Sequence, residues 1–433
     1  MKKEEIITVL AEWNFWGRGL ETGIKRDYAK KFLEYLEGVN KILSAYGVRR
    51  AGKSFVLRDV AKTLSESYGD RNTLYVNFEE TKFDETLDRK FLWKIYEAFL
   101  EIIKPESKPF ILLDEVQEIE GWEKVVRTLH EKDEARIIVT GSSAKLMSEE
   151  LSTLLSGRGI KMEIFPLNFL EFMKFRGFSI KNKSEILINY RKIIAYLREY
   201  LEFGAFPECV LERNEEKRRR ILREYFDTIL LKDVERRFSI KNTQALEKMA
   251  FFYISNISSP VTFRRVSKSL GIPVKTVERY SKYIESSRMI LFVKRFSFSV
   301  KEQENSPRKV YSIDTGLSNT VGFRFLENYG RIIENLVAVE LLRRGKEIFY
   351  YKSQDQKEVD FVVKEGLKVK ELIQVCYDLD FNTKERELKA LVKASKELDC
   401  NSLLVITWDH EGEEEFRGER IQFKPLWKWL LNM

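Results

Sequence analysis

The chain has 433 residues, 43% hydrophobic and 13% aromatic, which leaves room for two to four domains at roughly 100–200 residues each and excludes a disordered polymer. No run approaches the ~18 uncharged apolar residues of a membrane span, and the start, Met1-Lys2-Lys3-Glu4-Glu5, has no apolar core of a secretory signal, so a cytoplasmic protein with no membrane partner is expected. Three scattered cysteines (Cys209, Cys376, Cys400) and two histidines (His130, His410) leave almost no ligands for a Cys/His zinc site, while the net charge of +8 permits a nucleic-acid partner without requiring one.

Residues 1–40 hold Trp13, Phe15 and Trp16, then a helical stretch from Asp27 to Leu36 with Tyr28, Phe32, Leu33 and Leu36 on one face. From Lys41 to about Pro166, strand-like runs at Ile42–Tyr46, Thr73–Phe78, Phe110–Leu113 and Arg136–Thr140 alternate with amphipathic helices, the pattern of a parallel sheet covered on both faces. Residues 167–240 read as mostly helical. Leu246–Val300 reads as a helical unit closed by a β-ribbon, Lys301–Pro307 as a polar linker, and an α/β pattern returns from Lys309 to the end.

Gly47-Val48-Arg49-Arg50-Ala51-Gly52-Lys53-Ser54 fits G-x-x-x-x-G-K-[ST] between a strand and a helix. Glycines let backbone N–H groups curl around a phosphate, the helix N-terminus adds positive potential, Lys53 neutralises β/γ oxygens and Ser54 ligands Mg²⁺. ATP and Mg²⁺ are the expected cofactors. Phe110–Leu113 runs into Asp114-Glu115, with Asp114 61 positions past Lys53 (114 − 53). Asp114 is the second expected Mg²⁺ ligand, directly or through water, and Glu115 the acid that polarises the attacking water. The next strand leads into Gly141-Ser142-Ser143, where Ser142 or Ser143 can serve as a sensor of the γ-phosphate or can simply cap a helix. Arg158, in Leu155-Ser156-Gly157-Arg158, has a guanidinium suited to transition-state charge, though on chemistry alone it reads as a surface arginine.

These residues, with Tyr75-Val76-Asn77-Phe78-Glu79, Leu113–Gln117, Trp122, Thr140–Ser143 and Pro166-Leu167-Asn168-Phe169 running to Glu171, carry a resemblance over residues 26–210. The segment resembles an ATPase domain of the AAA+/STAND-related P-loop class of archaea and bacteria. That resemblance implies a catalytic role for Arg158 as trigger or finger, and for Glu79 as an active-site acid.

Further on, Thr262–Leu270, Gly271-Ile272-Pro273 and Val274–Ser286 read as helix–turn–helix, with Met289–Phe298 and Lys309–Ile313 as the wing of a winged helix. Lys275, Arg279 and Lys282, spaced by 4 and 3, share one helix face with Thr276 at its start. They are the candidate nucleic-acid contacts; the alternative is a solvated face on a packing module. The last segment carries Gly330–Asn335, Glu340, Lys357-Glu358-Val359-Asp360-Phe361 and Leu372–Cys376. It resembles the PD-(D/E)xK restriction-endonuclease-like fold, in which Glu334 or Glu340 with Asp360 would bind a metal. The E-x-K strand of that fold is here Gln374 and Cys376, so the resemblance implies a domain that has lost hydrolysis.

The expected fold class is thus α/β: a P-loop NTPase core with its N-terminal extension (1–166), a helical lid (167–240), a winged helix (241–313) and an endonuclease-like α/β domain (314–433). The expected function is a Mg²⁺-dependent ATPase coupled to double-stranded or branched DNA, with a homo-oligomer compatible. A slow signalling or scaffolding switch is the alternative, and an ATP-controlled nuclease a third.

Overall fold

Five runs of aliphatic residues become the strands of one parallel sheet: β1 (Ile42–Tyr46), β2 (Thr73–Asn77), β3 (Phe110–Asp114), β4 (Arg136–Thr140) and β5 (Gly159–Glu163). Their order is β2-β3-β4-β1-β5, and every neighbouring pair is parallel. β3 is buried from end to end, as a strand covered on both faces must be. β5 lies at the edge and is half-exposed, and its Gly-Ile-Lys-Met-Glu has no continuous apolar run, which is why sequence patterning passes over it. The computed structural model describes residues 1–83, 86–141, 157–180, 182–322, 329–377 and 381–433; the chain divides into two units, Met1–Ile164 and Phe165–Met433. Among the described residues no helix is long and apolar enough to cross a membrane.

Helices α1 (Lys3–Ala11), α2 (Tyr28–Gly38), α3 (Lys53–Tyr68), α4 (Arg89–Ala98) and α5 (Trp122–Glu131) clothe this sheet. Ile6 and Leu10 of α1, Phe91 and Ile95 of α4, and Val126 of α5 share one apolar core with Leu74, Val76, Ile111, Leu113 and Val139 of the strands. Leu43, Leu112 and Ile138, the alternate strand residues, are buried on the side of α2 and α3.

The aromatic N-terminal segment has a definite task. Asn14 is buried and reads the backbone of edge strand β2 in both directions: its Nδ2 donates to the Tyr75 carbonyl at 2.8 Å, and the Tyr75 N–H donates to its Oδ1 at 2.7 Å. Trp16 Nε1 donates to the Thr73 carbonyl at 3.1 Å, two residues back on the same side of the strand.

The second unit begins with helices between Phe169 and Arg236. A three-stranded antiparallel sheet follows, β6 (Ser259–Val261), β7 (Ile290–Val293) and β8 (Arg308–Ser312), in the order β6-β8-β7. A six-stranded mixed sheet closes the chain: β9 (Glu347–Lys352), β10 (Glu358–Glu365), β11 (Lys368–Cys376), β12 (Leu403–Thr407), β13 (Gly412–Phe416) and β14 (Glu419–Pro425), ordered β13-β14-β12-β11-β10-β9.

Two local expectations are corrected here. β7 stops at Val293 instead of reaching Phe298, because the chain leaves β8 and joins β9: Phe296 N–H donates to the Tyr350 carbonyl at 2.7 Å, and Tyr350 N–H to the Lys294 carbonyl at 3.1 Å. The polar stretch expected to be a linker is instead a helix, Val300–Asn305, capped by Ser299 and braced by an Arg308–Glu304 pair at 3.0 Å.

Asn14→Ala leaves two buried backbone groups of β2 without partners, each worth about 1–3 kcal/mol. A lower urea midpoint, followed by tryptophan fluorescence, is the expected result.

Candidate functional site

The loop Gly47–Ser54 joins β1 to α3 as an anion cradle requires. Gly47 has φ 152, and a Cβ there would lie 2.1 Å from the Ile164 carbonyl oxygen, so no other residue fits against the chain leaving β5. Gly52, at φ 91, caps α3, whose first residue is Lys53. The Lys53 ammonium is buried over the loop and donates to the carbonyls of Gly47 at 3.2 Å and Val48 at 3.3 Å. Arg26 is buried beneath, its guanidinium donating to the Ala51 carbonyl at 2.8 Å. It ties the segment before α2 to the loop, a role no motif announces.

Asp114 stands at the C-terminal end of β3, opposite Asn77 of β2. It is fully buried. Its Oδ2 accepts from the Tyr75 hydroxyl at 2.7 Å and its Oδ1 from the Thr140 hydroxyl, with Ser54 nearby. Burial pushes its carboxyl above the usual range and Glu115 adds to this, while the three hydroxyls pull the other way. Tyr75 in turn stays protonated far above neutrality, chiefly through burial and then through the Asp114 charge.

Glu115 follows in left-handed backbone, φ 56, its N–H donating to Thr140 Oγ1 at 3.1 Å and its carboxylate accepting from the Gln117 amide. Glu79, just past β2, lies 3.8 Å from the Arg49 guanidinium. Burial raises its carboxyl, the charge of Glu115 adds to the rise, and Arg49 opposes it. Lys53, Ser54, Asp114, Glu115, Arg49 and Glu79 therefore converge at one end of the sheet. Ser54 lies close enough to lower the Asp114 carboxyl, and hydroxyl and carboxylate together are an all-oxygen donor pair of the kind a hard cation such as Mg²⁺ takes.

Arg158 is not among them. It precedes β5, which runs parallel to β1 with Gly159 beside Ile42. The Ile42 N–H donates to the Arg158 carbonyl at 2.8 Å, and its guanidinium pairs with Glu131 at 2.9 Å. The whole of β1, about 16 Å at 3.3 Å per residue, separates it from the loop. Ser142 and Ser143 lie outside the described residues. Tyr75, Thr140 and Gln117 have no role that a motif assigns, although a hydroxyl at the end of an apolar strand is a readable signal for Thr140.

In the second unit, helix Phe263–Leu270 turns at Gly271 (φ 67) into helix Val274–Ser286. Val277, Tyr280 and Ile284 are buried, Lys275, Arg279 and Lys282 are exposed, and Thr276 is half-buried. The three cations do share a face, with Arg264, Arg265 and Lys268 exposed on the preceding helix.

The acids of the last segment part company. Glu340 pairs with Arg343 and Arg344, each at 2.9 Å. Glu334, on helix Tyr329–Arg343, joins Asp360 of β10 around Lys309 of β8. Burial raises the Glu334 carboxyl, and the charge of Lys309 opposes the rise.

An AAA domain model matches residues 39–173, and models of two domains of unknown function, DUF8612 and DUF4143, match residues 194–327 and 329–429. The Walker-type ATPase of Pyrococcus abyssi superposes with a TM-score of 0.45 at 12% identity, over 69% of this chain and 95% of its own. An uncharacterized protein of Haemophilus influenzae is 28% identical over 94% of this chain and 98% of its own length. The uncharacterized protein MJ1544 of Methanocaldococcus jannaschii is 36% identical over 407 residues, 91% of this chain and 89% of its own. With its phosphate loop set in an AAA domain of the P-loop ATPase kind, the chain belongs to the family of MJ1544.

Proposed function

We propose that this chain is a Mg²⁺-dependent ATPase whose nucleotide state controls its second unit, with DNA as the partner. The observation that carries the reading is the meeting of Lys53, Ser54, Asp114 and Glu115 at one end of the parallel sheet. Lys53 exchanges the Gly47 and Val48 carbonyls for phosphate oxygens, and the N-terminus of α3 faces the same anion. Ser54 and Asp114 would hold Mg²⁺, which when bound neutralises β- and γ-oxygens. Tyr75 and Thr140 keep Asp114 aimed and ionisable. Glu115 is the acid placed to take a proton from the attacking water.

Within the second unit, the helix–Gly–helix pair followed by antiparallel β7 and β8 supports a winged helix, and its cationic face supports a phosphate backbone as the ligand. Residues 167–240 are then the helical lid, and residues 314–433 an endonuclease-like domain that does not cut. One observation favours the alternative of a slow switch: the Gln117 amide holds the Glu115 carboxylate, so basal turnover is low until that bond is released. Measuring ATP turnover with and without duplex, single-stranded and branched DNA separates the two readings, since only the first expects stimulation.

Lys53→Ala removes the charge facing the phosphates and is expected to abolish nucleotide binding, measured by a fluorescent ATP analogue, with the circular dichroism spectrum unchanged. Glu115→Gln is expected to bind ATP normally and to turn it over ~10²–10⁴-fold more slowly, the usual contribution of a placed acid–base group; undiminished turnover moves the base to Glu79.

Replacing Lys275, Arg279 and Lys282 together by Ala is expected to weaken duplex binding and to flatten its log–log salt dependence by about 0.9 for every phosphate that is no longer neutralised. ATP turnover without DNA stays as it was. Unaltered affinity and slope would make the helix a packing surface.

A further inference from the structure

The resemblance of the last segment to metal-dependent endonucleases implies a divalent cation between Glu334 and Asp360, and the side chains present there do not fit one. We propose that this carboxylate cluster is filled by the chain's own ammonium, Lys309, which stands where a metal ion would and makes the cluster an internal joint between β8 and the C-terminal sheet.

The geometry is that of an ammonium gathered among acids. Lys309 Nζ lies 2.9 Å from Glu334 Oε1 and 2.9 Å from Asp360 Oδ1 and donates to both, with Glu358 Oε1 a third ion-pair partner at 2.7 Å. The oxygens around it are engaged elsewhere as well. Glu334 Oε1 also accepts from the Tyr311 hydroxyl at 2.7 Å, and Asp360 Oδ2 accepts from the Val375 N–H at 3.0 Å. The position that would supply a further carboxylate is Gln374. Its amide is spent on both sides, its oxygen accepting from the Asp360 N–H at 3.3 Å and its nitrogen donating to Glu387 at 2.6 Å. Among the described residues no group of three or more His, Cys, Asp and Glu side chains is arranged to hold a metal ion.

Lys309 cannot step aside for an incoming ion. Its side chain is 1% exposed, its backbone is fixed in β8 opposite Val293 and Pro260, and its ammonium lies 5.8 Å from the Tyr350 ring centre. A divalent ion entering among the same oxygens would have to share them with a buried ammonium a few ångströms away, and that repulsion weakens its binding. Withdrawing the ammonium instead would strand a buried charge without partners. The joint therefore ties three elements far apart in sequence, β8, helix Tyr329–Arg343 and β10, with no metal required.

Mn²⁺ titration of the nucleotide-free full chain, followed by electron paramagnetic resonance, tests this in four proteins: the unaltered chain, Asp360→Asn, Lys309→Met and Lys309→Met/Asp360→Asn. The expected result is equal Mn²⁺ stoichiometry in the first two, whatever the nucleotide site contributes. Lys309→Met then gains one ion, at least tenfold tighter than any background, and the double variant loses it. Loss of an ion on Asp360→Asn in the otherwise unaltered chain would overturn the proposal, and so would a folded Lys309→Met that gains none. Should Lys309→Met not fold, the unaltered chain against Asp360→Asn and Glu334→Gln decides: unchanged Mn²⁺ binding upholds the proposal and a lost ion refutes it.

Discussion

Asp114 is a carboxylate with no solvent around it, and much of the first unit exists to keep it chargeable. An isolated ionised carboxyl in such a place is costly enough to take up a proton instead. Hydroxyls oppose that here: Tyr75 from one neighbouring strand and Thr140 from the other donate to it, and Ser54 of the phosphate loop lies near enough to pull the same way. Each comes from a different element, so the strand order β2-β3-β4-β1 and the charge state of one side chain are the same fact seen at two scales. A slip of one residue in β2 or β4 would turn its hydroxyl to the opposite face.

Thr140 donates to Asp114 and also accepts from the Glu115 N–H, so the two acids at the end of β3 share one anchor. The second unit solves a buried-charge problem differently: three carboxylates are gathered around one ammonium, and ions compensate ions where the first unit uses neutral hydroxyls. Neutral hydroxyls orient the Asp114 charge without cancelling it. Ionic partners use the charge up.

Legibility in the sequence follows the range of the interactions. The phosphate loop packs its chemistry into eight consecutive residues, and Asp114 and Glu115 follow directly on an apolar strand; both sites stand out because the strand and loop context is local. Arg158 lies across β1 from the loop, a placement its neighbours in sequence do not reveal. Lys309 meets Glu334 and Asp360 across 25 and 51 positions, and no periodicity marks a lone lysine in a strand. The helix Val300–Asn305 has no buried residue at all, so an apolar stripe could not announce it; its cap and ion pairs hold it instead. Helix α1 is likewise hard to read, a nine-residue element whose place is set by α4 rather than by its own pattern.

The strapping of β2 by Asn14 and Trp16 bears on how copies of this chain can associate. An edge strand with free N–H and C=O groups is a template for a strand from another molecule, and proteins guard against it. At Thr73 and Tyr75 the outward backbone groups are already taken by side chains of the same polypeptide. Sheet-to-sheet polymerisation through that side is closed by the protein's own leading segment from the moment it docks. Any continuation of this sheet across molecules falls to β5, the opposite margin, where a lysine and a glutamate in five residues discourage it by charge.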